Sequence, residues 1–301
     1  MVFVLALLTS LLSVLNPVLL IFVPFTFMVL ALQPRRPFLL LIAVVLLWST
    51  FSGSDRDVLW WYGRGWSLIL GAWFVLAIVL FPRVGMLGRG LASVGASALT
   101  ATLLLGVNRA GWYALDTSVA SELRSGASEI VAFWSVQLKD KPWLADLSSA
   151  VYRFAEFQAR TFPALLALAS LCGLAVAWWL WRRLSAQDLR PLGALRDFRF
   201  TDELIWLVVL GAALMVLPLQ SGATRAGANL LTFMAALYAV RGFAVMLALF
   251  GAPSLLGGLF GVLLFLMLYP IVMATTLMVG LTDTWLDLRS RRLKKQDDEK
   301  H

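Results

Sequence analysis

Long stretches without a charged side chain alternate along this chain with short clusters of arginine and lysine, and that alternation predicts membrane-spanning helices. Uncharged runs at 84–107 (interrupted once, by Arg89), 161–181, 204–224 and 242–282 reach the length of about 18 residues that a helix needs to cross a bilayer. Followed along the chain, the pattern predicts spans at 38–53, 59–81, 84–107, 162–181, 204–220 and 226–250. Two further apolar stretches admit two readings each. Residues 2–33 contain Asn16-Pro17 and Pro24. A proline inside a helix removes a hydrogen bond and collides with the preceding turn, so this stretch is either one kinked span or two half-helices. Residues 254–283 form either a single span or a hairpin broken at Pro270, and the hairpin is preferred because it keeps the basic tail on the side of the other basic loops. The predicted class is an all-α polytopic transmembrane bundle of about 7–9 membrane segments, organised as a single integral membrane domain over 1–301.

One region departs from the pattern. Residues 108–160 hold six basic and six acidic side chains and read as two amphipathic helices. In the first, Val119, Leu123, Ala127, Ile130 and Trp134 recur at three- and four-residue steps, with Asp116 and Thr117 as candidate caps. In the second, Leu147, Val151 and Phe154 form the stripe, with Pro142 near the first turn. The parity of the spans places this insert outside the cytoplasm, as a cover on the bundle or as a lid or partner-docking face.

Composition agrees with a lipid environment. Of 301 residues, 60% are hydrophobic and 14% charged, against about 25% charged in soluble domains. The net charge of +8 does not point to nucleic acid, because Arg35-Arg36, Arg182-Arg183 and the cluster at 289–295 all border apolar runs, as the positive-inside rule requires. These placements predict a multi-pass protein of a bacterial inner membrane with a basic cytoplasmic tail at 286–301. Residues 1–33 lack a basic leader and a small-residue cleavage site, so they are expected to be retained. Trp178, Trp179 and Trp181 beside Arg182, and Trp285 near Arg289, are expected to act as interfacial anchors; Trp60, Trp61, Tyr62 and Trp66 form another such belt or stack on a flat ligand.

The chemistry is mostly negative. His301 is the sole histidine and Cys172 the sole cysteine, which removes His-based triads, His-containing zinc sites and an intrachain disulfide. No Walker A lysine loop is present. No catalytic residue, metal or cofactor is therefore expected, and the chain reads as non-enzymatic. What remains are polar side chains in apolar surroundings, each costly in lipid: Asn229, Tyr238, Arg241 and Asp283. Arg241 follows Tyr238 by three residues and shares its helix face. It either pairs with Asp283 or snorkels to headgroups. Arg225 sits among small residues at 221–228, expected as an outer loop that is either a plain turn or a contact for an anionic solute. Asp283, Trp285, Asp287 and Arg289 mark a helix exit that anchors at the interface or meets a partner. Thr201 is placed to cap the next helix, with Asp202 and Glu203 in its first turn suiting the helix dipole.

Several of these residues fall in strings that carry a resemblance. LRDFRFTDELIW from Leu195 to Trp206, NLL from Asn229, YAVRGFAV from Tyr238 to Val245 and GLTDTWLDLR from Gly280 to Arg289 resemble the YybS-like family of bacterial membrane proteins, most clearly over 160–292. That family is distantly similar to the substrate-binding membrane subunits of energy-coupling-factor vitamin transporters and to MreD-type rod-shape proteins. The resemblance implies a small helical bundle without enzymatic residues of its own. The insert at 108–160 departs from the transporter subunits, and no vitamin-specific motif is evident. Two functions follow. The preferred one is a scaffold or accessory subunit of a larger membrane complex, with lipids and other membrane subunits as partners. The alternative is a solute-binding transporter subunit holding a small molecule through Asn229, Tyr238, Arg241 or Arg225 in a polar cavity.

Overall fold

The computed structural model describes residues 2–32, 37–52, 56–107, 109–137, 143–185, 193, 195–217, 221–251, 254, 257, 260, 261, 263, 264 and 267–287. Among these residues the regular structure is entirely helical. The chain divides into two compact units, 1–192 and 193–301, and the boundary falls in the polar stretch between the arginine pair and Phe200.

The first unit begins with α1 (Val2–Leu12) and α2 (Pro17–Leu32). The break between them settles the first open reading in favour of two short helices. Its cause is Asn16: the Asn16 Oδ1 accepts the Val18 N–H at 3.0 Å and the Asn16 carbonyl accepts the Leu19 N–H at 3.1 Å, while Pro17 suits the first helical position, where its missing donor is not needed. Pro24 lies inside α2 without ending it. α3 (Pro37–Phe51) follows, then α4 (Val58–Leu80) and α5 (Met86–Val107). Asp57 caps α4, its Oδ1 accepting the Trp60 N–H at 2.7 Å. Arg89 folds back on the end of the same helix, donating from Nε to the Phe81 carbonyl at 3.1 Å and from Nη2 to the Pro82 carbonyl at 2.6 Å. A cation is thus retained in an apolar run because it satisfies carbonyls that a helix end leaves without intrahelical donors.

The insert differs from expectation in two ways. α6 runs unbroken over Arg109–Gln137, so Asp116 and Thr117 are interior rather than capping, and the Thr117 hydroxyl donates to the Tyr113 carbonyl one turn back at 2.9 Å. The second amphipathic segment and the next span are one helix, α7 (Leu144–Leu184), 41 residues long with Pro163 inside it. α1, α2, α5 and α6 all pack along α7, and this support carries the helix past its proline. Val119 and Ala127 are buried, as the stripe predicts, but Ile130 and Trp134 are exposed, so α6 covers its apolar face only as far as Ala127. The core gathers Leu20, Met28, Leu70, Phe74, Leu174, Trp178 and Trp181 around α7.

In the second unit two single 3-10 turns, Leu195–Asp197 and Asp202–Leu204, lead into α8 (Ile205–Val216). α9 (Ser221–Phe250) packs against both α8 and α10 (Tyr269–Leu286). Where α9 crosses α10, a Cβ on Gly242 would run into the Thr276 carbonyl, and one on Gly280 into the Tyr238 carbonyl. Only glycine admits so close an approach of two helix backbones, as at small-residue crossings in lipid. Pro270 lies in the first turn of α10, with Leu268 as the residue before the helix. Whether 254–283 folds back as a hairpin depends on positions between 252 and 266 that lie partly outside the described residues, as does most of the basic tail, 288–301.

By length and composition, four helices of the described residues are able to cross a membrane: Val58–Leu80, Met86–Gly106, Leu144–Leu184 and Gly222–Phe250. The expected spans at 2–33 and 38–53 appear as the shorter apolar helices α1 to α3, and that at 204–220 as the 12-residue α8.

Candidate functional site

The backbone approach at Gly242 and Gly280 positions the polar centre of the second unit. Arg241 precedes one glycine and Asp283 follows the other by three residues, so the crossing of α9 and α10 brings the two side chains face to face. The Arg241 Nε donates to Asp283 Oδ2 at 3.0 Å, and both residues are 0% exposed. A second carboxylate arrives from the turn before α8: Arg241 Nη1 donates to Asp202 Oδ1 at 2.8 Å. Asp202 is the wetter partner, with 44% of its side chain exposed.

Aromatic rings complete the enclosure. The guanidinium carbon of Arg241 lies 5.2 Å from the centre of the Phe200 ring, within the range of a cation–π contact. Phe200 in turn meets Tyr238 edge-on at 5.1 Å. Tyr238 is fully buried, and its hydroxyl lies next to Thr284. An outer layer of charge surrounds this centre, with Arg199 reaching Asp202 at 3.7 Å and Asp287 at 3.6 Å. Asp287 ends α10 in the left-handed region at φ 41°, its N–H donating to the Asp283 carbonyl at 3.2 Å. Asparagine and aspartate tolerate that conformation better than other non-glycine residues.

Of the two fates open to Arg241, pairing is therefore the one found, and snorkelling is excluded by its complete burial. Of the other sequence candidates, Tyr238 joins the centre while Asn229 and Arg225 do not. The Asn229 Nδ2 donates to the Arg225 carbonyl at 2.9 Å within α9, about 18 Å along the helix axis from Arg241. The expected loop at 221–228 is instead the first two turns of α9. Its glycines serve packing, not a turn: a Cβ on Gly227 would lie 2.7 Å from the Gly211 carbonyl of α8.

The proposed tryptophan anchors divide. Trp181 is 0% and Trp178 3% exposed, and Trp178 meets Phe74 edge-on at 6.3 Å. These two are core residues, a correction that follows from α7 being surrounded by other helices at that depth. Trp179 is partly exposed beneath the Arg183 guanidinium at 6.0 Å, and Trp285 is 69% exposed. In the belt at the start of α4, Trp60 carries Arg64 over its ring at 3.6 Å, Tyr62 donates to the Gly111 carbonyl at 2.7 Å, and Trp66 donates to the Ser170 hydroxyl at 2.9 Å. The latter two tie α4 to α6 and α7.

Sequence reasoning missed Phe200, Arg199 and the true partner of Asp202, which it assigned to the helix dipole. Thr201 holds the cap position but its side chain makes no capping bond. One available signal was electrostatic: a buried arginine with five donors is poorly satisfied by a single carboxylate. Chemically, the arrangement pins three segments together. Among the described residues no group of three His, Cys, Asp or Glu side chains is placed to hold a metal ion.

A family model described as a predicted membrane protein (DUF2232) matches residues 118–284, more than half of the chain and all of the Arg241 centre except its Asp287 rim. This meets the expectation, drawn from the strings between Leu195 and Arg289, of a membrane protein family. No curated protein and no solved structure matches the chain.

Proposed function

The chain belongs to this DUF2232 family of predicted membrane proteins, and on that premise we propose that it is a non-enzymatic scaffold or accessory subunit of a larger membrane complex. It resides as a multi-pass protein in the bacterial inner membrane, with its basic tail on the cytoplasmic side.

The observation that carries this reading is the closure of the Arg241 centre. A solute-binding subunit needs polar side chains that converge on a cavity. Here Arg241 and Asp283, the most strongly polar of the candidates, pair with each other at 3.0 Å and are fully buried. Asn229 and Arg225 lie about 18 and 24 Å from Arg241 along the axis of α9, so the four side chains do not converge. The outward faces are apolar and aromatic instead: Trp206, Phe250 and Trp285 stand exposed on the second unit. Lipid or neighbouring helices would cover them.

The test is purification of the chain in a mild detergent at native expression, with identification of everything that stays bound. Stoichiometric membrane protein partners, without an ATPase, are expected. Recovery with an ATPase and a coupling subunit, or with a stoichiometric small molecule, would replace this reading with the solute-binding one.

A further inference from the structure

We propose that Arg241 is a binding site for a carboxylate carried by a partner subunit, and that Asp202 fills that place while the chain is alone. The inference rests on the accessory-subunit reading above and names the group the partner brings. It starts from an incompletely matched guanidinium. Arg241 donates from Nε to Asp283 and from Nη1 to Asp202, while Nη2 is buried and has no hydrogen-bond partner among the described residues. A guanidinium presents its donors as a planar fork that a carboxylate grips with both oxygens. Asp202 takes one prong only: its Oδ1 is 2.8 Å from Nη1, while its Oδ2 faces Arg199 at 3.7 Å instead. A buried donor left unmatched destabilises the closed arrangement. A carboxylate free to approach end-on would satisfy Nη1 and Nη2 together.

The two carboxylates on Arg241 differ in how readily they leave. Asp283 is fully buried on α10, beside the backbone crossing at Gly280. Asp202 is 44% exposed and belongs to a single 3-10 turn outside the packed helices. Of the described residues from Leu195 to Leu204, Phe200 alone is buried. Its ring lies 5.2 Å from the guanidinium carbon and meets Tyr238, so lifting this strap withdraws one ring and one wet ion pair from Arg241. The other tie, Arg199 to Asp287 at 3.6 Å, is also between half-exposed side chains, and exposed pairs resist separation weakly. Charge and shape identify the incoming group. Asp283 already neutralises Arg241, so the departure of Asp202 leaves room for one negative charge. A planar monoanion restores the balance, whereas a phosphate dianion would set extra charge against Asp283. A side chain held in the same membrane also arrives at a high effective concentration, which a free acid lacks.

Arginine labelling of the full chain by phenylglyoxal in lipid nanodiscs, read residue by residue by mass spectrometry, tests this. Arg196, with 71% of its side chain exposed, should react at once, and Arg241 slowly, through transient lifting of the strap. Asp202→Asn keeps the shape and removes the charge, and it should speed the labelling of Arg241 by roughly fivefold. N-acetylaspartate amide, compared with sodium chloride of equal ionic strength, should slow it again. An Arg241 that stays unreactive in both chains, or that reacts equally fast in both, overturns the strap. Protection by inorganic phosphate but not by the carboxylate overturns the ligand class. Full protection by micromolar N-acetylaspartate amide makes a free acid the ligand and overturns the partner as its source. Should the variant not fold, hydrogen exchange on the native chain decides: amides at 199–203 should exchange well before those at 238–242, and equal protection refutes a separable strap. These readouts use the isolated chain, so they fail separately from the purification that tests the accessory-subunit reading.

Discussion

Truncating Arg241 or Asp283 to alanine should be among the most damaging single changes in the second unit, and the two losses should not add. At 3.0 Å and an effective dielectric constant of about 20, the pair attracts by about 5–6 kcal/mol before desolvation is counted. Much of that offsets the cost of taking both charges out of water. Removing one partner leaves the other charged and buried, which costs about 3–5 kcal/mol. Asp202 offers a contrast inside the same centre. Its side chain is 44% exposed, so Asp202→Ala removes a screened contact whose loss water partly replaces, for about 1 kcal/mol. The double variant Arg241→Met/Asp283→Leu removes both buried charges and should recover about 2 kcal/mol or more of the summed single losses. Equilibrium unfolding in mixed micelles with increasing SDS, followed by circular dichroism, gives all four values. Additive single losses, or an Asp202→Ala cost equal to that of Asp283→Ala, would refute a pairing in which burial sets the energy.

Three other outcomes follow from the packing. Gly242→Ala and Gly280→Ala each place a methyl group onto a carbonyl of the facing helix, and thermal unfolding in detergent should fall sharply for both. Gly126→Ala on α6, where nothing lies within 4 Å, should instead raise stability by about 0.5–1 kcal/mol. Trp181→Ala should cost about 3–5 kcal/mol while the exposed Trp285→Ala changes unfolding little, and the reverse order in the same melting experiment would restore Trp181 to the interface. Asp57→Ala removes the cap of α4 and should cost about 1 kcal/mol; hydrogen exchange should quicken at Val58–Trp60 and nowhere deeper in the helix.

Much of this protein is set by local sequence, because lipid compatibility is a local property. Runs of predominantly apolar residues give α4, α5, the apolar part of α7 and α9 without reference to any neighbour. Asn16-Pro17 ends one helix and starts the next through its own side-chain and ring geometry, and Pro270 falls in a first turn for the same kind of reason. The importance of Arg241 and Asp283 was also legible, since a charge in an apolar run demands an explanation wherever it occurs. What only the tertiary structure decided were matters of contact. Trp178 and Trp181 look identical in sequence to interfacial anchors, and they become core because other helices surround α7 at that point. The glycines near Arg225 look like a turn and prove to be a crossing with α8. Whether Arg241 reached headgroups or a carboxylate depended on how closely two backbones, far apart in the chain, approach at Gly242 and Gly280. Hydropathy sums over neighbours in sequence. The pairing of charges and the burial of rings depend on distances between helices, which no one-dimensional pattern contains.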